Sequence, residues 1–407
     1  MFDPASIIVG LEVGTSKICA VVGEVGAEGA LNIVGLGQAR SHGVRKGEIA
    51  DAPRVEEEIR HAIVEAEQMA DVEIRSVYLG VTGGHVGGFN NRGVHPIASA
   101  DREICEEDVQ DVIKNAKTIN LPAENHVIHA IRQHFLVDGH GGIANPVGML
   151  GSRVEVDVHV VHGHRNRLQN AIRSVKGLQL EVDDIVFTGL ASALALLTNE
   201  QKELGSLVVD IGGGTTEYVV YANGIIKHTG VFAVGGDHVS NDLAYGLKVP
   251  LSRAENLKLT HGSALVDEAS KDQTITLDNE HGLPAKTINQ QNLRRIMSLR
   301  LEEIFRLIEQ DLLQAGSLDY LRAGVFLCGG GARIPEIARL AEQIFSAPAF
   351  LGKSNSISGL KSTLDQPEFA TGIGLVKFGS FQHRKRAAKA SLTEGLKTTL
   401  GQFFRRG

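Results

Sequence analysis

The sequence predicts an α/β protein made of two related lobes that face each other across a phosphate-binding cleft. Three glycine-rich turns predict this fold, because each turn ends an apolar run that is too short for helical periodicity. They lie within residues 7–17, 207–216 and 325–332. Glycine allows backbone N–H groups to approach an anion that a Cβ atom would block. A single glycine cluster is more often an ordinary turn, so the prediction depends on the repetition.

The central turn has the fullest pattern. The apolar residues 207–209 lead into Asp210, which is followed by the glycines 212–214 and by the hydroxyls of Thr215 and Thr216. β-Branched residues before glycines predict a strand that delivers a phosphate-binding turn. The carboxylate of Asp210 at the strand end is placed to hold a hydrated magnesium ion.

The turn near the N-terminus repeats this architecture. Apolar runs predict strands over residues 7–13 and 17–24, and the turn between them carries Gly14 and Thr15. After the central turn, a second hairpin is predicted around Asn223-Gly224. Two hairpins with phosphate turns at their tips imply two lobes that clamp a ligand from both sides.

Helices are predicted from apolar residues spaced three and four apart. The amphipathic segments are 55–70, 101–119, 165–176 and 290–314. Residues 189–197 are apolar on all sides, so we expect a buried helix there. Further helices are expected to begin at Gly235-Gly236, where free N–H groups would face a nucleotide, at Ser252 as the capping residue, and through Pro335.

Composition limits the possible functions. With 407 residues, of which 43% are hydrophobic, the chain is too long for one core and predicts at least two domains. A net charge of −7 and the lack of a basic stripe with interleaved aromatic residues argue against a nucleic-acid partner. No run of 18 apolar residues occurs. Cys19, Cys105 and Cys328 lack metal or CxxC spacing, which predicts core thiols in a reducing cytoplasm.

Residues 85–162 differ in character and are interpreted as an inserted α+β subdomain in the first lobe. Strands are predicted over residues 127–137 and 153–161, joined through a glycine-rich loop. The second strand alternates valines with charged and polar residues, so one of its faces is expected to meet solvent. The alternating polar residues are Arg153, Glu155, Asp157 and His159.

Histidines crowd the same segment. They include His126, His129, His134, His140, His159, His162 and His164. A metal site at His159-x-x-His162-x-His164 is one interpretation, but strand alternation would point the first two side chains to opposite faces. Polar surface histidines are therefore the preferred interpretation.

Together, the three glycine motifs resemble the two phosphate motifs and the adenosine motif of the actin, sugar kinase and heat-shock chaperone ATPase superfamily. The motifs are residues 10–17, 209–216 and 327–335. Within this superfamily the chain is most similar to the FtsA family of bacterial actin-like cell-division proteins. Supporting stretches are residues 41–49, 145–149, 191–192 and 258–264. The resemblance covers essentially the whole chain and implies an actin-like ATPase fold with a nucleotide cleft between the lobes.

The resemblance also implies which residues bind ATP and magnesium. The β and γ phosphates would be faced by Gly14, Thr15, Ser16 and Lys17 from one lobe and by Gly212, Gly213, Gly214 and Thr215 from the other. Glu12 and Asp210 would act on magnesium through water, although the wider superfamily usually has Asp at the first position. The ribose and base would lie near Gly235, Gly236, Glu255 and Lys258, with Gly329, Gly330, Gly331 and Ala332 under the adenine. No residue is identified as catalytic, so ATP turnover stays open.

Residues 380–407 carry seven basic residues against one acid, Glu394, on an otherwise acidic chain. Wound as a helix, this tail would place apolar residues on one side and basic residues across from them, as in a helix that lies in a membrane surface. The residues concerned are Leu392, Leu396, Lys397, Leu400, Phe403, Phe404, Arg405 and Arg406. A helix docked on its own domain or on a partner protein would have the same composition, so composition alone does not decide between these alternatives. The FtsA resemblance favours the membrane, since that family ends in a targeting helix after a linker.

The motifs and the resemblance together give a domain organisation. Residues 1–84 and 163–204 form the core of the first lobe, 85–162 the insert, 205–237 and 303–379 the core of the second lobe, 238–302 its small subdomain, 380–390 a linker and 391–407 the targeting helix.

The function implied by the resemblance is that of an ATP-binding protein that polymerises on the cytoplasmic face of the inner membrane at the division site. There it would tether the tubulin-like protein FtsZ and help to recruit later division proteins. A superfamily kinase for a sugar or acetate is a second possibility, but the chain shows no conspicuous catalytic acid in an added substrate pocket. A PilM-like pilus-assembly protein is a third, and it would be expected to lack the basic tail.

Overall fold

The computed structural model describes residues 7–26, 30–98, 101–277, 285–355, 358–360 and 365–385. The predicted membrane-targeting helix at 391–407 lies outside these residues. None of the helices in the described part of the chain is long and apolar enough to cross a bilayer.

The first lobe is built on one mixed sheet with helices packed against it. Its elements are β1 (Ile7–Val13), β2 (Lys17–Val25), β3 (Leu31–Arg40), β4 (Val44–Arg45), β5 (Glu48–Ile49), α1 (Ala52–Ala70), β6 (Ser76–Val81), α3 (Arg165–Lys176), β11 (Glu181–Phe187), α4 (Thr188–Leu196) and α5 (Asn199–Leu204). The sheet has the order β11-β6-β1-β2-β3, and a late strand, β19 (Ser358–Gly359), adds to its β3 edge. The β1–β2 hairpin is antiparallel and β6 is parallel to β1, so the predicted first hairpin is confirmed.

The second lobe repeats this topology. Its elements are β12 (Ser206–Ile211), β13 (Thr216–Ala222), β14 (Ile225–Phe232), α6 (Gly236–Leu247), α7 (Leu251–His261), β15 (Thr274–Leu277), β16 (Lys286–Asn289), α8 (Gln290–Gln314), β17 (Gly324–Cys328), α9 (Ile337–Phe345) and β18 (Ala349–Leu351). The sheet has the order β14-β13-β12-β17-β18. Its β12–β13 pair is antiparallel and β17 is parallel to β12, matching β1, β2 and β6 of the first lobe. The prediction of two related lobes is therefore confirmed.

A hydrophobic core made of residues from both lobes joins the two sheets. It contains Cys19 of β2, Ala191 of α4, Val219 of β13 and Ile373 of the last helix, α10, which runs over residues 370–385. Burial of each large apolar side chain contributes roughly 1.5–3 kcal/mol. The predicted all-apolar helix at 189–197 is confirmed as α4, and its apolar surface is needed on every side because both sheets contribute to this core.

The insert is a four-stranded antiparallel sheet with one helix on it, as expected for an α+β subdomain. Its elements are β7 (Gly87–Pro96), α2 (Glu106–Lys117), β8 (Asn125–Val137), β9 (His140–Ile143) and β10 (Arg153–His164), in the sheet order β7-β10-β8-β9. The alternating valines of β10, such as Val156 and Val158, form the core under α2.

The polar face of this sheet lies against edge strand β14 of the second lobe. Asn90 Nδ2 donates a hydrogen bond to the carbonyl of Lys227 at 3.0 Å, and Gln133 Nε2 donates one to the carbonyl of Ile226 at 2.6 Å. The ring of His159 lies between the lobes, with Nε2 2.9 Å from Thr229 Oγ1. We call these residues the insert–β14 contact: Asn90, Gln133, His159, Ile226, Lys227 and Thr229.

The prediction that the polar face of β10 meets solvent holds for Arg153, which is exposed, but is wrong for Glu155 and His159. His159 is fully buried at the insert–β14 contact, and Glu155 is 5% exposed and forms ion pairs with Arg92 and Arg153. The interpretation as surface histidines is also wrong for His129, which is buried and accepts a hydrogen bond from the backbone N–H of Phe187 at 3.0 Å. Strand alternation identifies a polar face, but it does not show whether another lobe covers that face.

Helix starts and ends account for the remaining corrections. Helix α7 begins at Leu251, not after Ser252, because Pro250 occupies the capping position and its ring presets the backbone. Helix α9 begins at Ile337, two residues beyond Pro335. The chain is helical through residue 385, so the first half of the predicted linker 380–390 continues α10.

The prediction that all three cysteines are core thiols is wrong for one of them. Cys105 is exposed, whereas Cys19 and Cys328 are buried. Helix α2 begins only at Glu106, so Cys105 is its capping residue, and both its backbone N–H and its Sγ donate to Asp108 Oδ2, at 2.9 and 3.0 Å. A helix start on the surface of the insert therefore exposes this side chain.

Candidate nucleotide site

A cavity of about 530 Å³ lies between the two lobes, within the range typical of small-molecule and cofactor sites. All three glycine turns line it. The predicted residues found on its wall are Glu12, Gly14, Thr15, Ser16, Lys17, Asp210, Gly212, Gly213, Thr215, Gly236, Glu255, Lys258, Gly329, Gly330 and Gly331. Segments separated by more than 300 positions in the sequence are thus brought together at one site.

Three predicted residues do not line the cavity, and their proposed role in binding stays a prediction. They are Gly214, Gly235 and Ala332. Gly214 packs against the first lobe, where an added Cβ would lie 2.6 Å from Thr15 Oγ1 and 2.9 Å from Lys46 Cα. Only glycine allows this approach, so Gly214 brings the two phosphate turns into contact.

The first phosphate turn (residues 14–16) is stabilised by one hydrogen bond within the hairpin and by one from a neighbouring loop. Gly14 N–H donates to the carbonyl of Lys17 at 3.0 Å, and Thr15 Oγ1 accepts from the backbone N–H of Gly47 at 3.0 Å. Lys17 Nζ forms an ion pair with Glu12 Oε2 at 2.8 Å. Burial raises the pKa of Glu12 against the opposing effect of Lys17. The pair therefore places a partly buried cation and a partly buried acid beside the first phosphate turn.

The second phosphate turn (residues 212–215) is continuous with the start of α6. Gly212 N–H donates to the carbonyl of Thr215 at 2.9 Å, which closes the turn. The backbone N–H groups of Gly236 and Asp237 then donate to the carbonyls of Gly212 and Gly213, at 2.9 and 2.8 Å. These bonds correct the prediction of free N–H groups at Gly235-Gly236, because the N–H groups of Gly235, Gly236 and Asp237 all have acceptors within the chain. The N-terminus of the 12-residue helix α6 still meets the cavity, where its dipole favours an anion.

Asp210 is held at the end of β12 by two hydroxyls. Its Oδ2 accepts from Ser192 Oγ at 2.6 Å and from Thr371 Oγ1 at 2.8 Å. Ser192 is on α4 and Thr371 is on α10, so the two helices of the shared core fix this carboxylate. The sequence reasoning included Ser192 in a supporting stretch but missed Thr371, for which no local pattern gives a signal.

Glu217 is the main functional residue that the sequence reasoning missed. It lies on β13 directly opposite Asp210, lines the cavity and is 4% exposed. Its Oε1 accepts a hydrogen bond from the hydroxyl of Thr82, which belongs to the first lobe. Burial and the nearby carboxylate of Asp210 raise the pKa of Glu217 to about 8. Counting the strand register back from the turn would have placed this acid beside Asp210.

The far end of the cavity carries the residues predicted to lie near ribose and base. Lys258 Nζ contacts Glu255 Oε2 at 2.7 Å and the carbonyl of Gly236 at 3.2 Å. The third glycine turn faces them, and Arg333 and Leu259 complete this wall. The site thus has one end formed by the two phosphate turns with Asp210 and Glu217, and another end lined by Glu255, Lys258, Leu259 and Arg333.

Magnesium is consistent with the acids at the phosphate end. No cluster of three metal-binding side chains occurs among the described residues, so the protein alone offers no complete ligand set there. Glu12 and Asp210 remain as carboxylates near the two turns. Mg²⁺ usually keeps several waters and is bound through one or two carboxylates together with substrate phosphates, which suits this arrangement.

Comparison with known proteins agrees with the geometry. A family model described as "Cell division protein FtsA" matches residues 207–374, and one described as "SHS2 domain inserted in FTSA" matches residues 83–162. The "Cell division protein FtsA" of Pseudomonas aeruginosa is 38% identical over 373 residues, which cover 92% of this chain and 89% of that protein.

Solved structures show the same fold at low sequence identity. The PilM–PilN type IV pilus biogenesis complex matches with a TM-score of 0.64 and 16% identity, over 92% of this chain and 98% of that one. MreB5 of Spiroplasma citri, solved bound to ADP, matches with a TM-score of 0.58 and 16% identity, over 94% and 99% of the two chains. The fold is the actin-like ATPase fold, and the sequence relationship decides the family: the chain belongs to the FtsA family of cell division proteins.

Proposed function

We propose that the cleft binds ATP together with magnesium. The observation that carries this proposal is the contact of two phosphate turns, one from each lobe, across a cavity of nucleotide size. Lys17, the dipole of α6 and the two turns would hold the phosphates. Magnesium, held by Glu12 and Asp210 through water, would supply positive charge to the phosphate oxygens. The structurally similar MreB5, which was solved bound to ADP, supports nucleotide binding by this fold.

Calorimetric titration of the full-length protein with ATP tests this step. Saturable binding with one site per chain is expected, and EDTA should weaken it. The same titration with GTP tests whether the end of the cavity that faces the base distinguishes adenine from guanine. Absence of saturable ATP binding at millimolar nucleotide, with a folded protein by circular dichroism, would refute the proposal.

On the larger scale, the chain acts in this proposal as an actin-like protein that polymerises on the cytoplasmic face of the inner membrane at the division site. There it tethers FtsZ and helps to recruit later division proteins. Membership of the FtsA family supports this role over that of a small-molecule kinase or a pilus-assembly protein. The insert exposes apolar side chains that would suit contact with another copy, such as Leu150, which is 70% exposed.

Membrane attachment is assigned to the basic, apolar tail at residues 391–407. Full-length protein should sediment with vesicles of anionic phospholipid and not with vesicles of neutral phospholipid, because the tail combines apolar and cationic side chains. A truncation after residue 390 should stay in solution. A matched full-length variant, Leu400→Glu with Phe404→Glu, keeps the chain length and should also be released. Equal sedimentation of all three proteins would exclude the tail as the anchor.

Tethering of FtsZ is tested with the same vesicles. Fluorescently labelled FtsZ should be recruited by the full-length protein and not by the truncated one. Direct binding of the truncated protein to FtsZ in solution should persist, since the tail provides attachment only. If neither protein binds FtsZ, the tethering role fails even though membrane attachment stands.

A further inference from the structure

Asp237 differs from the other acids of the cleft in the contacts of its side chain. Its carboxylate forms no hydrogen bond or ion pair with any described residue. A partly buried carboxylate without a partner is unfavourable until a ligand supplies a donor. The other acids that line the cavity each contact a cation or a hydroxyl, as Glu12 with Lys17, Asp210 with Ser192 and Thr371, Glu217 with Thr82, Glu255 with Lys258 and Glu368 with Arg333.

The backbone fixes Asp237 beside the second phosphate turn. Its N–H donates to the carbonyl of Gly213 at 2.8 Å. An added Cβ on Gly213 would lie 3.3 Å from Asp237 Oδ1, so the carboxylate lies against this turn. Burial raises the pKa of the Asp237 carboxyl, while Lys258 lowers it and Glu255 raises it further. Asp237 therefore lies between the turn that would face phosphates and the pair at the other end of the cavity.

This position limits the groups of a nucleotide that the carboxylate can meet. Phosphate oxygens are negatively charged and would repel it. The part of a nucleotide between its phosphates and its base is the ribose, whose 2′ and 3′ hydroxyls are hydrogen-bond donors. Because the base end of the cavity is formed by Glu255 and Lys258, a ribose would lie next to Asp237.

Given the ATP binding proposed above, we propose that the Asp237 carboxylate accepts hydrogen bonds from the ribose hydroxyls. Asp237 is then the residue by which the cleft prefers ribonucleotides to deoxyribonucleotides. This assignment rests on the proposed nucleotide site and adds to it the recognition of the sugar.

The surroundings of Asp237 suit this task. It lies in the first turn of α6, where the helix dipole favours a charged carboxylate. Hydrogen bonds to a charged acceptor are stronger than those between neutral groups. A site that bonds a hydroxyl discriminates against an analogue without it, since the polar group of the protein is then left unpaired. Asp237 is only partly buried, so we expect moderate discrimination.

Calorimetric titration of the full-length protein with ATP and with 2′,3′-dideoxy-ATP tests the inference. The two ligands share the base and the triphosphate. The wild-type protein should bind ATP about 10-fold more tightly, as expected for a hydrogen bond to a charged group. In Asp237→Ala, the ratio of the two dissociation constants should fall about fivefold or more, towards one. The ratio is compared because removing a negative charge beside the phosphates changes the affinity for both ligands equally.

Two further variants sharpen the measurement. Asp237→Asn keeps one acceptor oxygen without the charge and should give an intermediate ratio. Asp242→Ala is the matched control on the same helix. Asp242 pairs with Arg300 and does not line the cavity, so this variant should keep the wild-type ratio. Circular dichroism checks that each variant is folded.

The outcomes separate this inference from the proposed function. If the wild-type protein binds no ATP, the proposed function fails and the inference fails with it. If the wild-type protein binds the two ligands equally, or if Asp237→Ala keeps the wild-type ratio, the inference is overturned and ATP binding stands. Equal weakening of both ligands in Asp237→Ala, with the ratio unchanged, would assign Asp237 to the phosphates or to magnesium and also overturn the inference.

Discussion

The nucleotide cleft and the insert–β14 contact both join chain segments of the first lobe to the second lobe, and their chemistry differs. In the nucleotide cleft, Thr82 meets Glu217 and the two phosphate turns touch, beside several acids and the cation of Lys17. In the insert–β14 contact, amides, carbonyls, one hydroxyl and a neutral imidazole meet. The first contact is rich in charge and surrounds a cavity, whereas the hydrogen bonds of the second contact join uncharged groups to one another.

Because of this difference, we expect the cleft to serve ligand binding and the insert–β14 contact to serve the stability of the fold. Burial raises the pKa of Glu12 and of Glu217, so their carboxylates are destabilised until a ligand supplies positive charge. At the insert–β14 contact, each nitrogen of the His159 ring has a partner within the chain. Changes in the cleft should therefore alter nucleotide affinity, and changes in the insert–β14 contact should alter the free energy of unfolding.

Acidification should break the insert–β14 contact through His159. Burial lowers the pKa of this imidazole to about 4, with His228 and His129 acting in the same direction. The unfolded chain binds the proton at an ordinary pKa near 6.5, so the neutral ring stabilises the folded state fully above that pH and progressively less as the pH falls towards 4. The loss amounts to roughly 3 kcal/mol.

Chemical denaturation at several pH values measures this loss. His159→Gln should lower stability at pH 7.5, yet its free energy of unfolding should fall less steeply between pH 6.5 and 4 than that of the wild-type protein. The buried His129 contributes equally to both proteins and cancels in the comparison. If the free energies of unfolding of the two proteins fall in parallel with pH, the pKa of His159 is not lowered in the folded protein.

In the cleft, Lys17→Met should reduce ATP affinity more than it reduces stability. The substitution removes a cation that lines the cavity and leaves Glu12 without its partner. Charge-assisted hydrogen bonds to phosphate are worth about 1.5–3 kcal/mol, so we expect affinity to fall about 100-fold. Calorimetric titration of both proteins at matched magnesium gives the ratio. An unchanged dissociation constant would remove Lys17 from the phosphate site.

The sequence alone was sufficient for features that depend on local pattern. Hairpins at both phosphate turns follow from apolar runs that stop at glycines, and α4 follows from a segment that is apolar on every side. The two hairpin turns implied facing lobes, and the resemblance to the superfamily implied the place of the third turn; glycines of all three turns line one cavity. These signals are carried by neighbouring residues, where periodicity and turn chemistry decide the structure.

Features that depend on distant partners could not be predicted in this way. Thr82 and Thr371 lie far from Asp210 in the chain, and only the packing of α10 and the contact between the lobes bring them to the site. The burial of His159 likewise depends on β14, a strand of the other lobe. In two cases a local signal was present and missed: the hairpin register places Glu217 opposite Asp210, and Pro250 precedes Ser252 and fixes the start of α7.

Close packing at the insert–β14 contact can be tested with one methyl group. An added Cβ on Gly88 would lie 2.0 Å from Thr229 Oγ1 and 3.1 Å from His159 Nε2, whereas on the neighbouring Gly87 the nearest atom would be 3.4 Å away. Gly88→Ala should therefore lower the free energy of unfolding by about 2 kcal/mol. Gly87→Ala is the matched control and should stay within about 0.5 kcal/mol. Equal stability of the two variants would mean that β7 and β14 are not in close contact.

The smallest expected effect comes from one amide of the insert–β14 contact. Gln133→Met keeps the length of the side chain but removes the donor to the Ile226 carbonyl at 2.6 Å and to Asn90 Oδ1 at 3.2 Å. An unsatisfied buried polar group costs about 1–3 kcal/mol, and we expect a loss at the low end of that range, about 1 kcal/mol. ATP affinity should not change, in contrast to Lys17→Met. A parallel loss of ATP affinity in Gln133→Met would mean that the two contacts are coupled, so that the insert takes part in closing the cleft.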